Sequence, residues 1–218
     1  MTDRTTASPN VSNAARRAVS LEYATLGWNT VEAVVAIASG VVAGSVALMA
    51  FGIDSGIELV SATVVVVRLR ALISGGEPDE AKERLALRVV AVCFFALAAY
   101  VVIDTTVSLT MADHPSTSLS GIGVTVAALI VMPALAVSKR RGATRLADAA
   151  LASPAALLAA DASETMLCAA LSVTTLVGVG LNAALGWWWA DPVASLAVVY
   201  FAVEEGREAW AGEVCCDD

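Results

Sequence analysis

Residues 44–62 read GSVALMAFGIDSGIELVSA, and the two acids inside this apolar run decide how the chain is read. With the apolar residues that follow, the run supplies the roughly 20 residues a helix needs to cross a bilayer. Asp54 and Glu58 stand four apart, so on a helix their carboxylates lie one above the other on a single face. Each ionised acid at mid-membrane costs about 2.5–3.5 kcal/mol on insertion scales. Two on one face call for something that neutralises them.

The rest of the chain is made for the same surroundings. Of its 218 residues, 58% are apolar and 16% charged, against about 45–50% and about 25% in soluble domains. Mean hydropathy is +0.75. A net charge of −8 with only 13 Lys and Arg excludes a basic nucleic-acid module. Cys93, Cys168, Cys215 and Cys216 lack the spacing of a disulfide framework. Residues 1–18 are polar, with neither the apolar core nor the cleavage site of a signal peptide.

Six stretches qualify as spans: 22–43, 45–67, 86–110, 120–138, 154–179 and 184–204. The connections GVVAGS (40–45) and LNAALG (181–186) are so short that spans one and two, and spans five and six, form antiparallel hairpins. The expected fold class is therefore all-α: a polytopic membrane protein of six transmembrane helices. It divides into a polar N-terminal segment (1–19), a membrane domain (20–205) and a short tail (206–218).

The basic residues set an orientation. Arg4, Arg16 and Arg17 precede span one, and Arg68, Arg70, Lys82, Arg84 and Arg88 surround the second connection. Lys139, Arg140, Arg141 and Arg145 follow span four, and Arg207 follows span six. Every base thus falls on one side, which the positive-inside rule makes cytoplasmic, with both termini. The expected location is the cell (inner) membrane, crossed several times. Trp187, Trp188 and Trp189 suit the opposite headgroup interface.

Against this, the acids at membrane depth find no basic partner in the sequence. Glu32 falls in span one, Asp54 and Glu58 in span two, Asp104 in span three, and Asp161 and Glu164 in span five. Protons or an external cation remain to neutralise them. In span five Glu164 and Cys168 repeat the i, i+4 spacing, with Asp161 one turn earlier, and both pairs fall near the midplane. Facing helices would assemble three carboxylates and a thiolate, a donor set that suits zinc or another divalent first-row metal. The thiolate also admits cadmium, while carboxylates alone would favour manganese or iron(II). Taken alone, Cys168 reads as a small buried hydrophobe; its place beside Glu164 makes it a ligand.

Other residues carry two readings. Glu32, with Asn29 about one turn earlier, lines the cytoplasmic approach or hydrogen-bonds the site's carboxylates. Asp104, beside Thr105 and Thr106, belongs to an exit route or to helix packing. Asp191, before Pro192, reads as a cap of span six, and His114 as a solvated loop residue. Gly40, Gly44 and Gly52 read as positions of close helix packing. The tail AGEVCCDD (211–218) offers either a soft-metal trap or a flexible end.

These motifs resemble the cation diffusion facilitator family of divalent-metal transporters. Residues 44–62 look like its second helix, ALLAADASETMLCAALS (156–172) like its fifth, and ADP (190–192) like the start of its sixth. The resemblance implies that Asp54 and Glu58 supply half of a metal site. Glu164 takes the place usually held by His or Asp, and Cys168 that of the final Asp. Asp161 has no fixed counterpart, and with Glu32, Asn29 and Asp104 it is a candidate accessory ligand or proton relay. The family's usual cytoplasmic C-terminal domain is not seen, so the chain is similar to members consisting of the transmembrane domain alone.

The expected function is proton-coupled export of a divalent transition metal, zinc first, with cadmium, iron(II) or manganese as other cargoes. The chain is read as a transporter and not an enzyme. It needs no cofactor beyond the cation it moves. The expected partners are the metal, protons as counter-ion, the bilayer and a second copy paired through membrane contacts. No P-loop is present, so an ion gradient must drive the cycle. Two rivals stand beside this reading. One is a non-transporting metal sensor. The other is an intramembrane aspartyl protease using Asp54 and Asp161, which leaves Glu58, Glu164 and Cys168 unexplained.

Overall fold

Each apolar stretch forms one helix in the computed structural model, which describes residues 9–74, 80–111, 116–149 and 151–211. They are α1 (Pro9–Ala43), α2 (Val46–Ile73), α3 (Glu80–Met111), α4 (Leu119–Asp148), α5 (Ala152–Leu185) and α6 (Ala190–Ala211). The chain is an all-helical membrane protein. Among the described residues, four helical stretches are by themselves long and apolar enough to cross a membrane: Asn13–Ala43, Ala91–Thr110, Leu119–Asp148 and Leu157–Leu185. Arg4, His114, Cys215 and Cys216 lie outside the described residues.

Local chemistry sets the helix ends. Gly44 adopts φ 67°, a left-handed conformation that glycine enters without steric cost, and so ends α1. Ser45 follows as the cap of α2, its hydroxyl accepting from the Leu48 amide at 3.2 Å. Ser118 caps α4 in the same way, accepting from the Gly121 amide at 3.0 Å. Gly186, at φ 68°, closes α5 by donating to the Asn182 carbonyl. The chain therefore stays helical through LNAAL, and α6 begins at Ala190 instead of the expected residue 184. The tryptophans fall in this connection, where Trp187 and Trp189 stack with ring centroids 5.4 Å apart.

The helices pair as α1 with α2, α4 with α5, and α3 with α6. Helix α2 is the hub, touching α1, α3, α5 and α6. Close approach is what binds helices in lipid, because burying apolar surface there gains little over the lipid tails. A Cβ at Gly40 would meet Met49, and one at Gly52 would meet the Ile37 backbone nitrogen, each at 2.8 Å. These two glycines form the α1–α2 seam. Gly44 does not: the space beside it is open, and its role is the turn.

Asp191 corrects a second expectation. It stands in the first turn of α6, yet its carboxylate accepts from Ser45 Oγ at 2.7 Å and from the Ala47 amide at 3.4 Å. It serves the N-terminus of α2, where unsatisfied amides and the helix dipole favour an anion.

Candidate metal-transport site

Two apolar clusters stack along the bundle. One gathers Phe51, Leu97, Met132 and Leu171; the other gathers Val19, Leu69, Leu146 and Leu158. Between them, four helices contribute buried polar residues, which on α1 extend over about 15 Å of helix. Helix α1 gives Glu22, Thr25, Asn29 and Glu32, α2 gives Glu58, α4 gives Lys139, and α5 gives Asp161 and Thr165. The chain thus carries a polar layer between two apolar ones, the arrangement that marks function inside a membrane.

Lys139 overturns the expectation that the membrane acids lack a basic partner. It is fully buried, in contact with the Asp161 carboxylate, 3.5 Å from Glu22 Oε2 and 3.7 Å from Glu58 Oε1. Its ammonium also donates to Thr165 Oγ1 at 2.8 Å, and that hydroxyl donates to Glu58 Oε1 at 2.5 Å. Asp161 accepts in addition from Ser61 Oγ at 3.1 Å. One base therefore serves three acids drawn from three helices. Near the helix ends, Arg16, Arg17, Arg140, Arg141, Arg145 and Arg207 are exposed.

Asp54, Glu164 and Cys168 come together around a neighbouring cavity of about 10 Å³, roughly the space one water-sized occupant needs. Phe94, Leu171 and Phe201 form apolar walls, and Glu205 of α6 completes the acidic lining. Asp54 and Cys168 are buried, Glu164 half-buried with its Oε1 shut away from solvent. Glu58 does not line this cavity; its Oε1 is turned to Thr165 and Lys139. Among the described residues, no three His, Cys, Asp or Glu side chains are gathered tightly enough to hold a metal ion as they stand.

The buried polar atoms are incompletely satisfied. Both oxygens of Glu32, both polar atoms of the Asn29 amide, Trp28 Nε1, Glu58 Oε2 and Glu164 Oε1 have no hydrogen-bond partner among the described residues. Such atoms usually find a partner or bind one. Asn29 and Glu32 are thus placed inside the polar layer. Asp104 is not: it is half-buried on α3, where it accepts from Tyr100 at 2.9 Å.

Sequence reasoning missed Glu22, Lys139, Thr165 and Glu205. Glu22, Thr25, Asn29 and Glu32 follow an i, i+3, i+7, i+10 spacing, a polar stripe on one helical face that could have revealed the first. Lys139 was hidden by its neighbours, since KRR (139–141) reads as a cytoplasmic cluster. Glu205, in VEEGRE (203–208), follows the expected end of span six and left no such signal.

Comparison with protein families finds a match to the cation efflux transmembrane domain over residues 23–210. Comparison with curated proteins finds no match. The matched stretch runs from within α1 to near the end of α6, so it reaches all six helices and includes the buried polar layer except Glu22. Members of this family carry metal cations across membranes and are not enzymes. By its six-helix membrane fold and by this match, the chain belongs to the cation diffusion facilitator family.

Proposed function

We propose that the chain exports a divalent transition-metal cation in exchange for protons, with zinc as its principal cargo. The observation that carries this reading is the meeting of Asp54, Glu164 and Cys168, from α2 and α5, around one small buried cavity. Glu58, one turn from Asp54 on the same face, is the fourth ligand. Three carboxylates and a thiolate match zinc's preference for four mixed ligands, and the thiolate extends the range to cadmium. Asp161, Glu32 and Asn29 lie in the adjoining polar layer and serve as accessory ligands or proton relays; Asp104 lies apart on α3.

Coupling follows from a shared site. Carboxylates and thiolate bind metal only when deprotonated, so metal and protons compete for the same atoms. Metal enters from the cytoplasm, displaces protons, and is released when the site opens outward and protons return. The exposed arginines near the starts of α1 and α3 and the ends of α2, α4 and α6 support a cytoplasmic placement of both termini in the inner membrane. Two copies pair within the bilayer, where α3 offers exposed Val92, Phe95, Val102 and Ile103.

The test is flux into proteoliposomes loaded with a metal-sensitive dye, with and without a pH gradient, for zinc, cadmium, iron(II) and manganese. Gradient-driven zinc flux that Asp54→Ala abolishes is the expected result. Tight binding without flux would replace the exporter by a sensor. Absence of both would remove the metal reading.

A further inference from the structure

Among the described residues, Glu58 is the one proposed ligand of the four that a cation already engages. Its Oε1 lies 3.7 Å from the Lys139 ammonium and accepts from Thr165, while its Oε2 has no hydrogen-bond partner among the described residues. We infer that Lys139 is a tethered counter-ion of the metal-free carrier, whose ammonium stands in for the transported cation until metal draws Glu58 away. The inference rests on the site reading above and adds to it a residue from α4.

Three observations lead to it. First, Lys139 faces Glu22, Glu58 and Asp161 together. A purely structural buried base needs one acid, and a surplus of acids leaves the cluster open to further positive charge. Second, the partners are unequal. Asp161 is in contact with the ammonium and Glu58 lies 3.7 Å from it, so Glu58 can leave while the Lys139–Asp161 pair stays intact. Third, the network adjoins the cavity through both helices: Glu58 is one turn from Asp54 on α2, and Thr165 follows Glu164 on α5. A divalent ion in the cavity attracts the Glu58 carboxylate and repels the ammonium, which has no lone pair to offer it while protonated.

The tether makes Lys139 a positioning residue that lowers metal affinity. If Glu58 is free of Lys139 in only about a tenth of empty carriers, apparent affinity falls about tenfold, and removing the base restores it. A merely structural lysine behaves in the opposite sense: its loss leaves buried acids unpaired, disturbs the bundle and weakens binding.

Zinc affinity of the full chain in detergent, read by competition with a zinc dye, separates these outcomes. Lys139→Met is expected to bind zinc about tenfold more tightly, with Lys139→Arg near wild type. The gain should vanish when Glu58→Gln is present, because no carboxylate is left to release. Should Lys139→Met fail to fold, Lys139→Gln removes the charge while keeping a hydrogen-bond donor for its neighbours and should show the same gain. Zinc binding that Asp54→Ala abolishes but loss of the lysine leaves unchanged or weaker overturns the tether alone. No zinc binding by the wild type overturns the tether together with the site reading.

Discussion

Asp191 at the start of α6 accepts a hydrogen bond from Ser45 Oγ at 2.7 Å, and Ser45 in turn accepts from the Leu48 amide. This chain of two bonds fastens the N-terminus of α2 to its neighbour. Asp54 lies nine residues further along α2, about 13.5 Å by helical rise. The tie therefore fixes the height at which the first acid of the site sits.

Asp191→Ala should lower stability by about 1.5–3 kcal/mol, the usual worth of buried hydrogen bonds to a charged group. Ser45→Ala, which removes the cap, should cost about 0.5–2 kcal/mol. Thermal unfolding in detergent reads both, and an unshifted midpoint for Asp191→Ala would mean that the tie contributes nothing.

Gly52 and Gly56 provide an internal comparison one helical turn apart. A Cβ at Gly52 meets the Ile37 backbone nitrogen at 2.8 Å, whereas nothing lies within 4 Å of one at Gly56. Gly52→Ala should therefore force α1 and α2 apart at a cost of about 1–3 kcal/mol. Gly56→Ala should be neutral or stabilise by up to about 1 kcal/mol through its better helix propensity. Equal midpoints for the two variants would remove the seam from the account.

Cys168→Asp replaces the thiolate by a carboxylate of similar reach. Zinc flux should persist while cadmium transport falls relative to zinc, since cadmium is the softer ion. Parallel dye-loaded vesicles measure the ratio. A ratio unchanged from wild type would take Cys168 out of the coordination sphere.

Proton competition sets the sign of the pH response. Metal binding displaces protons from carboxylates and thiolate, so zinc affinity should fall as pH is lowered. Each proton displaced contributes a loss of about tenfold per pH unit where that group is protonated in the metal-free protein. Binding titrations at about pH 8 and about pH 6 should show weaker zinc binding at the lower value; equal affinities would argue against a shared site.

The helices were legible because lipid demands long apolar runs, and six such runs stand out between 22 and 204. Their ends were not. LNAAL (181–185) reads as connection or helix until the left-handed Gly186 closes it. Asp54, Glu164 and Cys168 were legible as neighbours because i, i+4 spacing fixes a face and opposed helices meet at matched depth. Lys139 was not, because which face of α4 points inward depends on packing against α1 and α5, and the lysine's run of bases mimics a membrane edge. Asp191 shows the same limit: sequence places it at the start of α6, but only the fold shows that it caps α2.

The contact of α1 with α2 at Gly40 and Gly52 also bears on how motion could be watched. Helices touching backbone to side chain at two points resist sliding past each other. Spectroscopic probes on exposed positions of the two, such as Val34 and Val60, should keep one separation throughout a transport cycle. That pair is an internal ruler. Any change in distance from it to a probe on α5 then belongs to α5.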